Sequence, residues 1–320
     1  MENILVSISC IAYNHEKYIA DAIDSFLMQQ TNFKYEILIH DDASTDRTAE
    51  IIRKYEKKYP ELVKPIYQIE NQYSKGVDVF KVNDERAIGK YVALCEGDDY
   101  WTDIYKLQKQ VDYMEKHPEC SLCVHAGHVV SALDKKPISF VRPNKGNKVF
   151  KVAEVIEGGG GLFVTNSMLY PTKFGQNRPV FLENAPVVDY PLAINLSLQG
   201  SVYYIDEFMS AYRTGDSSSW TARNTSSFEK EIKHFDEIAI MLDEINEYTN
   251  YGYSDIVAQT KGFNKFNLLL NHRKFMEAKT GDTKDIYLKL GFKRKLIIYL
   301  MQYFPSIINV LRVVKRKLIR

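Results

Sequence analysis

A chain of 320 residues holds one large α/β domain with an appendage, or two domains. At 45% hydrophobic and 26% charged, with a net charge of +1, it is ordinary globular protein and offers no electrostatic case for nucleic-acid binding. No stretch reaches the roughly 18 uninterrupted apolar residues of a membrane-spanning helix. The start, Met1-Glu-Asn-Ile-Leu5, lacks the basic and apolar regions of a signal peptide, so a cytoplasmic protein is expected.

Residues 5–11 predict a first strand that ends at Ala12-Tyr13-Asn14-His15. Ile19, Ile23, Phe26 and Leu27 then recur at helical spacing. A second strand, 35–40, runs into Asp41-Asp42-Ala43-Ser44-Thr45-Asp46, and one of Ser44, Thr45 or Asp46 caps the next helix. Residues 63–68 predict a third strand. This β-α-β-α-β run implies a doubly wound, mostly parallel sheet with helices on both faces.

Lys90-Tyr-Val-Ala-Leu-Cys95 reads as a buried strand that stops at Glu96-Gly97-Asp98-Asp99. Three carboxylates within four positions repel one another, and the usual compensation is a hard divalent cation shared with phosphate oxygens. The carboxyl ends of parallel strands are where ligands sit in such sheets. The plainer alternative is an acidic loop that solvates a strand end.

Beyond this point Thr102 is expected to cap a helix reaching His117, followed by a strand over 120–130 and an exposed excursion over 131–148. Gly158–Gly161 either lets a ligand approach the backbone or acts as a hinge. A helix starts near Asp189, two strands cover 202–205 and 208–212, and the remainder is helical. Cys120, Cys123 and His125 lack a second pair at zinc-finger spacing, so all four thiols (Cys10, Cys95, Cys120, Cys123) read as free. His40, on an apolar strand, reads as a core residue.

Taken together, these motifs resemble the family 2 inverting glycosyltransferases of the GT-A fold, over about residues 4–215. Asp41-Asp42-Ala43-Ser44-Thr45-Asp46 is similar to the family's second-strand motif, with Ala43 where glycine is usual, and Glu96-Gly97-Asp98-Asp99 stands at its DXD signature, with Glu96 replacing the first Asp. The resemblance implies a hexosyl- or N-acetylhexosaminyltransferase of surface-polysaccharide synthesis, using a nucleotide-sugar donor (a UDP-sugar is favoured), Mg2+ or Mn2+, and a glycan or lipid-linked acceptor. Carried over by position, Tyr13 stacks on the base, Asp42 accepts from its imide N–H, and Asp98 holds the cation. Glu96 and Asp99 orient ribose, cation or sugar; Asn14, Glu16 and Ser44 complete the donor turns; Arg213 and either Arg86 or Lys81 meet the phosphates. Trp101 and Ser167 fall on the acceptor side. Asp189 stands where the family keeps its general base, although its local pattern also suits a helix N-cap. Trp101 is equally compatible with a core aromatic.

The division implied is a GT-A domain over 1–224 and a helical region over 225–320. The last residues, 293–320, carry eight Lys or Arg and no acid among apolar residues. They form either a solvated basic rim or a docking face for the anionic inner leaflet. A sugar-nucleotidyltransferase would need a glycine-rich loop after the first strand, which Ala12-Tyr13-Asn14-His15-Glu16 is not. A non-catalytic nucleotide-sugar scaffold would share the binding residues but have no use for Asp189.

Overall fold

The computed structural model describes residues 4–216 and 227–305. The chain forms two compact units, 1–222 and 223–320. In the first, β1 (Ile4–Ala12), β2 (Lys34–Asp41), β3 (Val63–Tyr67) and β4 (Tyr91–Leu94) alternate with helices α1 (Ile19–Leu27), α2 (Thr48–Lys58) and α3 (Val79–Arg86). These four strands pair in parallel in the order β3-β2-β1-β4, as the alternating pattern implies. Val6, Ile8, Cys10 and Ala12 of β1 are fully buried and pack with Ile19, Ala22, Ile23 and Phe26 of α1. The helical spacing of those α1 residues is therefore the imprint of the sheet beneath them.

The second half of the sheet is mixed. It contains β5 (Tyr100–Trp101), helix α4 (Lys106–Lys116), and strands β6 (Cys120–Ser131), β7 (Pro137–Val141) and β8 (Lys148–Phe150). Then follow helix α5 (Val152–Gly158), strand β9 (Leu169–Pro171), helices α6 (Thr172–Gln176), α7 (Val180–Glu183) and α8 (Asp189–Gln199), and strand β10 (Ser201–Thr214). The order continues β4-β9-β6-β10-β5, with β9 antiparallel to both neighbours and β6 parallel to β10. The two strands expected over 202–212 are one, β10, with register shifts around Ile205–Phe208. The excursion over 131–148 contains β7 and the start of β8. Helix α4 starts at Lys106, later than expected, with Tyr105 at the cap position and no side-chain cap; Asp103 accepts Tyr105 N in the turn before it.

The register brings three strand ends to one rim. Ala12 lies opposite Asp41; Asp42 N donates to Ala12 O at 2.9 Å, and Gly97 N donates to Ile11 O at 2.8 Å. A Cβ on Gly97 would stand 2.9 Å from Ile19 Cδ1 and 3.0 Å from His15 Nδ1, so a larger residue there would make these side chains shift. All four cysteines are free and buried.

The second unit contains α9 (Phe228–Tyr248), α10 (Ser254–Asn271), α11 (Phe275–Thr280), α12 (Lys284–Lys289) and α13 (Phe292–Tyr303). Phe266, Leu269, Leu270, Phe275, Ala278 and Ile298 form its core. Among the described residues no helix is long and apolar enough to cross a membrane.

Candidate active site

The turns after β1 and β2 are laced together. Asn14 N donates to Ser44 Oγ at 2.9 Å, and Asn14 Oδ1 accepts from Thr45 N at 2.8 Å. His15 N donates to Thr48 Oγ1, Glu16 N to Asp46, and Arg47 N to Glu16. Asn14 and Ala43 both have left-handed backbone, with φ of 57° and 60°. That conformation is why glycine suits position 43, and an alanine there carries strain. Asn14, Glu16 and Ser44 thus tie the two turns together, and Tyr13 projects from them, 38% exposed.

Asp42 departs from expectation. It is 1% exposed, and its carboxylate accepts Gln72 N at 2.7 Å on one oxygen and Tyr73 N at 3.0 Å on the other. His40, buried as expected, faces it at 3.4 Å. Asp42 therefore pins the 71–73 loop beside the rim instead of presenting an open acceptor. Burial pushes the neighbouring Asp41 carboxyl upward, and its Oδ1 has no partner.

The acidic turn separates into three roles. Asp98 has the open carboxylate, 32% exposed, with His15 Nε2 at 3.9 Å. Asp99 is buried, and both oxygens are taken, by Arg213 N at 2.8 Å and Asn166 Nδ2 at 2.8 Å. Burial and the charges of Asp98 and Glu96 push its carboxyl well above the ordinary range. It holds the turn. Glu96 is half-buried; burial, then the charges of Asp98 and Asp189, raise its carboxyl to about 8.

Asp189 is the first residue of α8, preceded by Val188 at the cap position. Its Oδ1 accepts Tyr190 N at 2.8 Å, Thr165 Oγ1 lies 3.5 Å from Oδ2, and burial raises its carboxyl above the usual value. Gly159, Gly160, Phe163, Met168, Tyr190 and Ala193 line a small pocket with it.

Several expected site residues lie elsewhere. Trp101 is 1% exposed: its ring meets Phe26 at 4.9 Å and its indole N–H donates to Asn166 O. It is the core aromatic, because β5 turns that side chain under α1. Ser167 is buried and donates to Val164 O at 2.7 Å, so neither it nor Trp101 faces an acceptor. The Arg86 guanidinium donates to Lys64 O at 2.8 Å and to Asn83 Oδ1. Lys64 sits opposite Leu38, three residues before the end of β2, which places that contact about 10 Å short of the rim. Lys81 pairs with Glu183. The Arg213 side chain is 2% exposed and lies behind Asp98, donating to Asp98 O and to Asp21.

Asn166 is the residue that sequence reasoning missed. It donates to Asp99 and Ala211 O and accepts from Ser210 Oγ and the Trp101 indole. The signal was the polar triplet Thr165-Asn166-Ser167 set between the glycine run and a buried strand.

Hard oxygen ligands suit Mg2+ or Mn2+. Among the described residues no three His, Cys, Asp or Glu side chains converge as a ready-made metal cage. Magnesium-type sites of one or two carboxylates completed by substrate phosphates need no such cage. Asp98, open and beside two further acids whose pKa values are raised, fits that kind of site.

A mixed sheet whose strand ends carry this acidic turn is the architecture of the GT-A transferases, and known structures agree. Staphylococcus aureus TarS residues 1–349, solved with UDP-GlcNAc, superposes with a TM-score of 0.56 at 16% identity, covering 91% of this chain and 78% of that one. The mannosyltransferase PcManGT of Pyrobaculum calidifontis, solved with GDP-Man and Mn2+, gives 0.55 at 13%, covering 94% and 81%. In sequence, the pattern of Glycosyl transferase family 2 matches residues 7–169. An uncharacterised Mycobacterium tuberculosis protein is 36% identical over 224 residues, 69% of this chain and 62% of its own length. The Escherichia coli UDP-Glc:α-D-GlcNAc-diphosphoundecaprenol β-1,3-glucosyltransferase WfaP is 37% identical over 116 residues, 35% of this chain and 41% of that one. The chain belongs to glycosyl transferase family 2.

Proposed function

We propose that the protein is a cation-dependent, inverting glycosyltransferase. It moves a sugar from a nucleotide diphosphate, a UDP-sugar by preference, to a glycan or lipid-linked hydroxyl in surface-polysaccharide synthesis. The observation that carries this reading is the open carboxylate of Asp98, in an acidic turn that the Gly97–Ile11 hydrogen bond sets on the same rim as the turns after β1 and β2. Tyr13 and the loop held by Asp42 form the base side of the cleft. Asp98 and Glu96 would hold a divalent cation, which would supply Lewis-acid neutralisation of the diphosphate charge.

Asp189 takes the proton of the incoming hydroxyl. Burial makes its carboxylate more basic than an ordinary Asp, in the direction that improves a general base near neutral pH. Attack from the Asp189 side, opposite the leaving group, inverts the anomeric carbon. Holding both reactants in line supplies much of the rate by removing the entropy of encounter.

Related proteins support the substrate class, since TarS was solved with UDP-GlcNAc and WfaP is named for a UDP-glucose donor and a lipid-diphosphate acceptor. A panel of nucleotide sugars with Mn2+ or Mg2+, read by thermal shift and then by nucleotide release with acceptor, tests the reading. Stabilisation by UDP-sugars and acceptor-dependent UDP release are expected. Binding without release under any acceptor would favour the non-catalytic scaffold, and pyrophosphate formation from a sugar phosphate would favour a nucleotidyltransferase.

The same reading places the enzyme on an anionic leaflet through 293–320. Along α13, Phe292, Leu296, Tyr299 and Tyr303 are exposed at a spacing that forms one stripe, next to Lys293 and Arg294. Lys295 donates to Leu288 O, and the other basic residues, from Arg312 onward, lie outside the described residues. Sedimentation with phosphatidylglycerol vesicles is expected to weaken with salt and with the double change Phe292→Ser, Tyr299→Ser. Vesicle binding unaffected by both would remove the docking role.

A further inference from the structure

We propose that Asp21, on α1, and Arg213, on β10, form a positioning pair that fixes the backbone of Asp98 and thereby aims its carboxylate at the cation and diphosphate. This rests on the reading of Asp98 as the cation ligand. It assigns a role to Asp21, which no motif marks, and it replaces direct phosphate contact as the role of Arg213.

Among the described residues, His15 at 3.9 Å is the ion-pair partner of the Asp98 side chain, too far to fix it, so its direction is set by the main chain that carries it. One residue grips this turn twice, at the Asp98 carbonyl and at the Asp99 carboxylate. The Arg213 backbone N–H donates to the Asp99 carboxylate at 2.8 Å, and its guanidinium donates to the carbonyl oxygen of Asp98. The guanidinium itself has little freedom. Its centre lies 4.5 Å from the Tyr100 ring centroid and 5.1 Å from that of Tyr18. Asp21 accepts its other terminal nitrogen, and Nε is buried without a partner.

A buried cation held by carbonyl and ring contacts alone would be poorly compensated; the Asp21 carboxylate makes the placement tolerable and fixes which nitrogen faces Asp98. Lys135 reaches the same Asp21 oxygen at 2.7 Å, but it is 52% exposed. It is therefore a solvated partner whose loss leaves Arg213 in place. A lysine at 213 has no planar fork to span Asp98 O and Asp21 together.

The test is calorimetric titration of Mn2+ into the full-length, UDP-saturated protein, with circular dichroism and thermal melting as fold controls. Asp21→Asn is expected to weaken Mn2+ binding by about tenfold, the scale seen when an outer support of a metal ligand is removed. Arg213→Lys should cost at least as much, Asp21→Glu should recover part of the loss, and Lys135→Ala should change affinity by less than about twofold. Parental Mn2+ affinity in folded Asp21→Asn or Arg213→Lys would overturn the proposal, as would a Lys135→Ala loss equal to that of Asp21→Asn. Asp98→Ala tests the underlying reading separately: if that variant keeps parental Mn2+ affinity, the cation assignment itself fails, whatever position 21 does.

Discussion

On the nucleotide side of the cleft, the turns after β1 and β2 exchange hydrogen bonds residue for residue, and Asp42 locks a third segment onto them. On the Asp189 side the carboxylate has one close hydrogen bond among the described residues, from the adjacent Tyr190 N at 2.8 Å. Thr165 stands at 3.5 Å, and added Cβ atoms at Gly159 and Gly161 would meet nothing within 4 Å. The contrast follows the chemistry proposed for each side. A nucleotide diphosphate is the constant part of the donor and rewards a preorganised frame, whereas an acceptor must enter, react and leave a wall that yields.

Substitutions can break this contrast, and the largest effect is expected on the rigid side. Asp98→Ala should reduce cation-dependent turnover to background while leaving the fold intact, because the carboxylate is open and holds no other element in place. Metal-dependent turnover at the parental rate would contradict it.

Asp42→Asn should act less severely. It replaces one of two oxygens that accept backbone N–H groups with an N–H donor, freeing either Gln72 or Tyr73. A lost hydrogen bond to a charged group is worth about 1.5–3 kcal/mol, so UDP affinity should fall roughly tenfold or more through the loosened loop. Equal UDP binding by variant and parent, measured by calorimetry, would show that the loop is not part of the base site.

The smallest expected effect is on stability, at Asp189. Its folded carboxyl is raised by burial, so the folded state binds that proton more tightly than the unfolded state. Its contribution to stability therefore falls as pH rises from the unfolded value through the raised folded one. Asp189→Asn removes that loss, and its melting temperature at neutral pH should equal or exceed the parent's. Asn caps a helix as well as Asp does, so the cap role is tested by Asp189→Ala, which would destabilise by about 0.5–2 kcal/mol if the carboxylate capped α8.

Much of the rigid side was legible because strand ends expose their chemistry locally. Asp41-Asp42, Glu96-Gly97-Asp98-Asp99 and the Tyr13-Asn14 turn each follow an apolar run, and the register of β1 with β2 and β4 brings them together. What stayed hidden depended on side-chain direction and on distant partners. Trp101 could face either way from a two-residue strand, and packing against Phe26 decided it. Asp42 was expected to meet a base, but the path of the 71–73 loop sets its partners, and no local pattern encodes that path. Asp21 looks like any acid in a first helical turn until β10, late in the chain, delivers Arg213 to it. The antiparallel insertion of β9 was equally unreadable, because three residues carry too little pattern to reveal direction.

The most direct test of one cleft with divided roles is Asp189→Asn assayed for donor binding and for transfer in the same preparation. The account predicts unchanged Mn2+-dependent affinity for the UDP-sugar and transfer reduced by about 10²-fold or more, the usual scale for loss of a general base. Transfer within a few-fold of the parent at saturating donor and acceptor would contradict it.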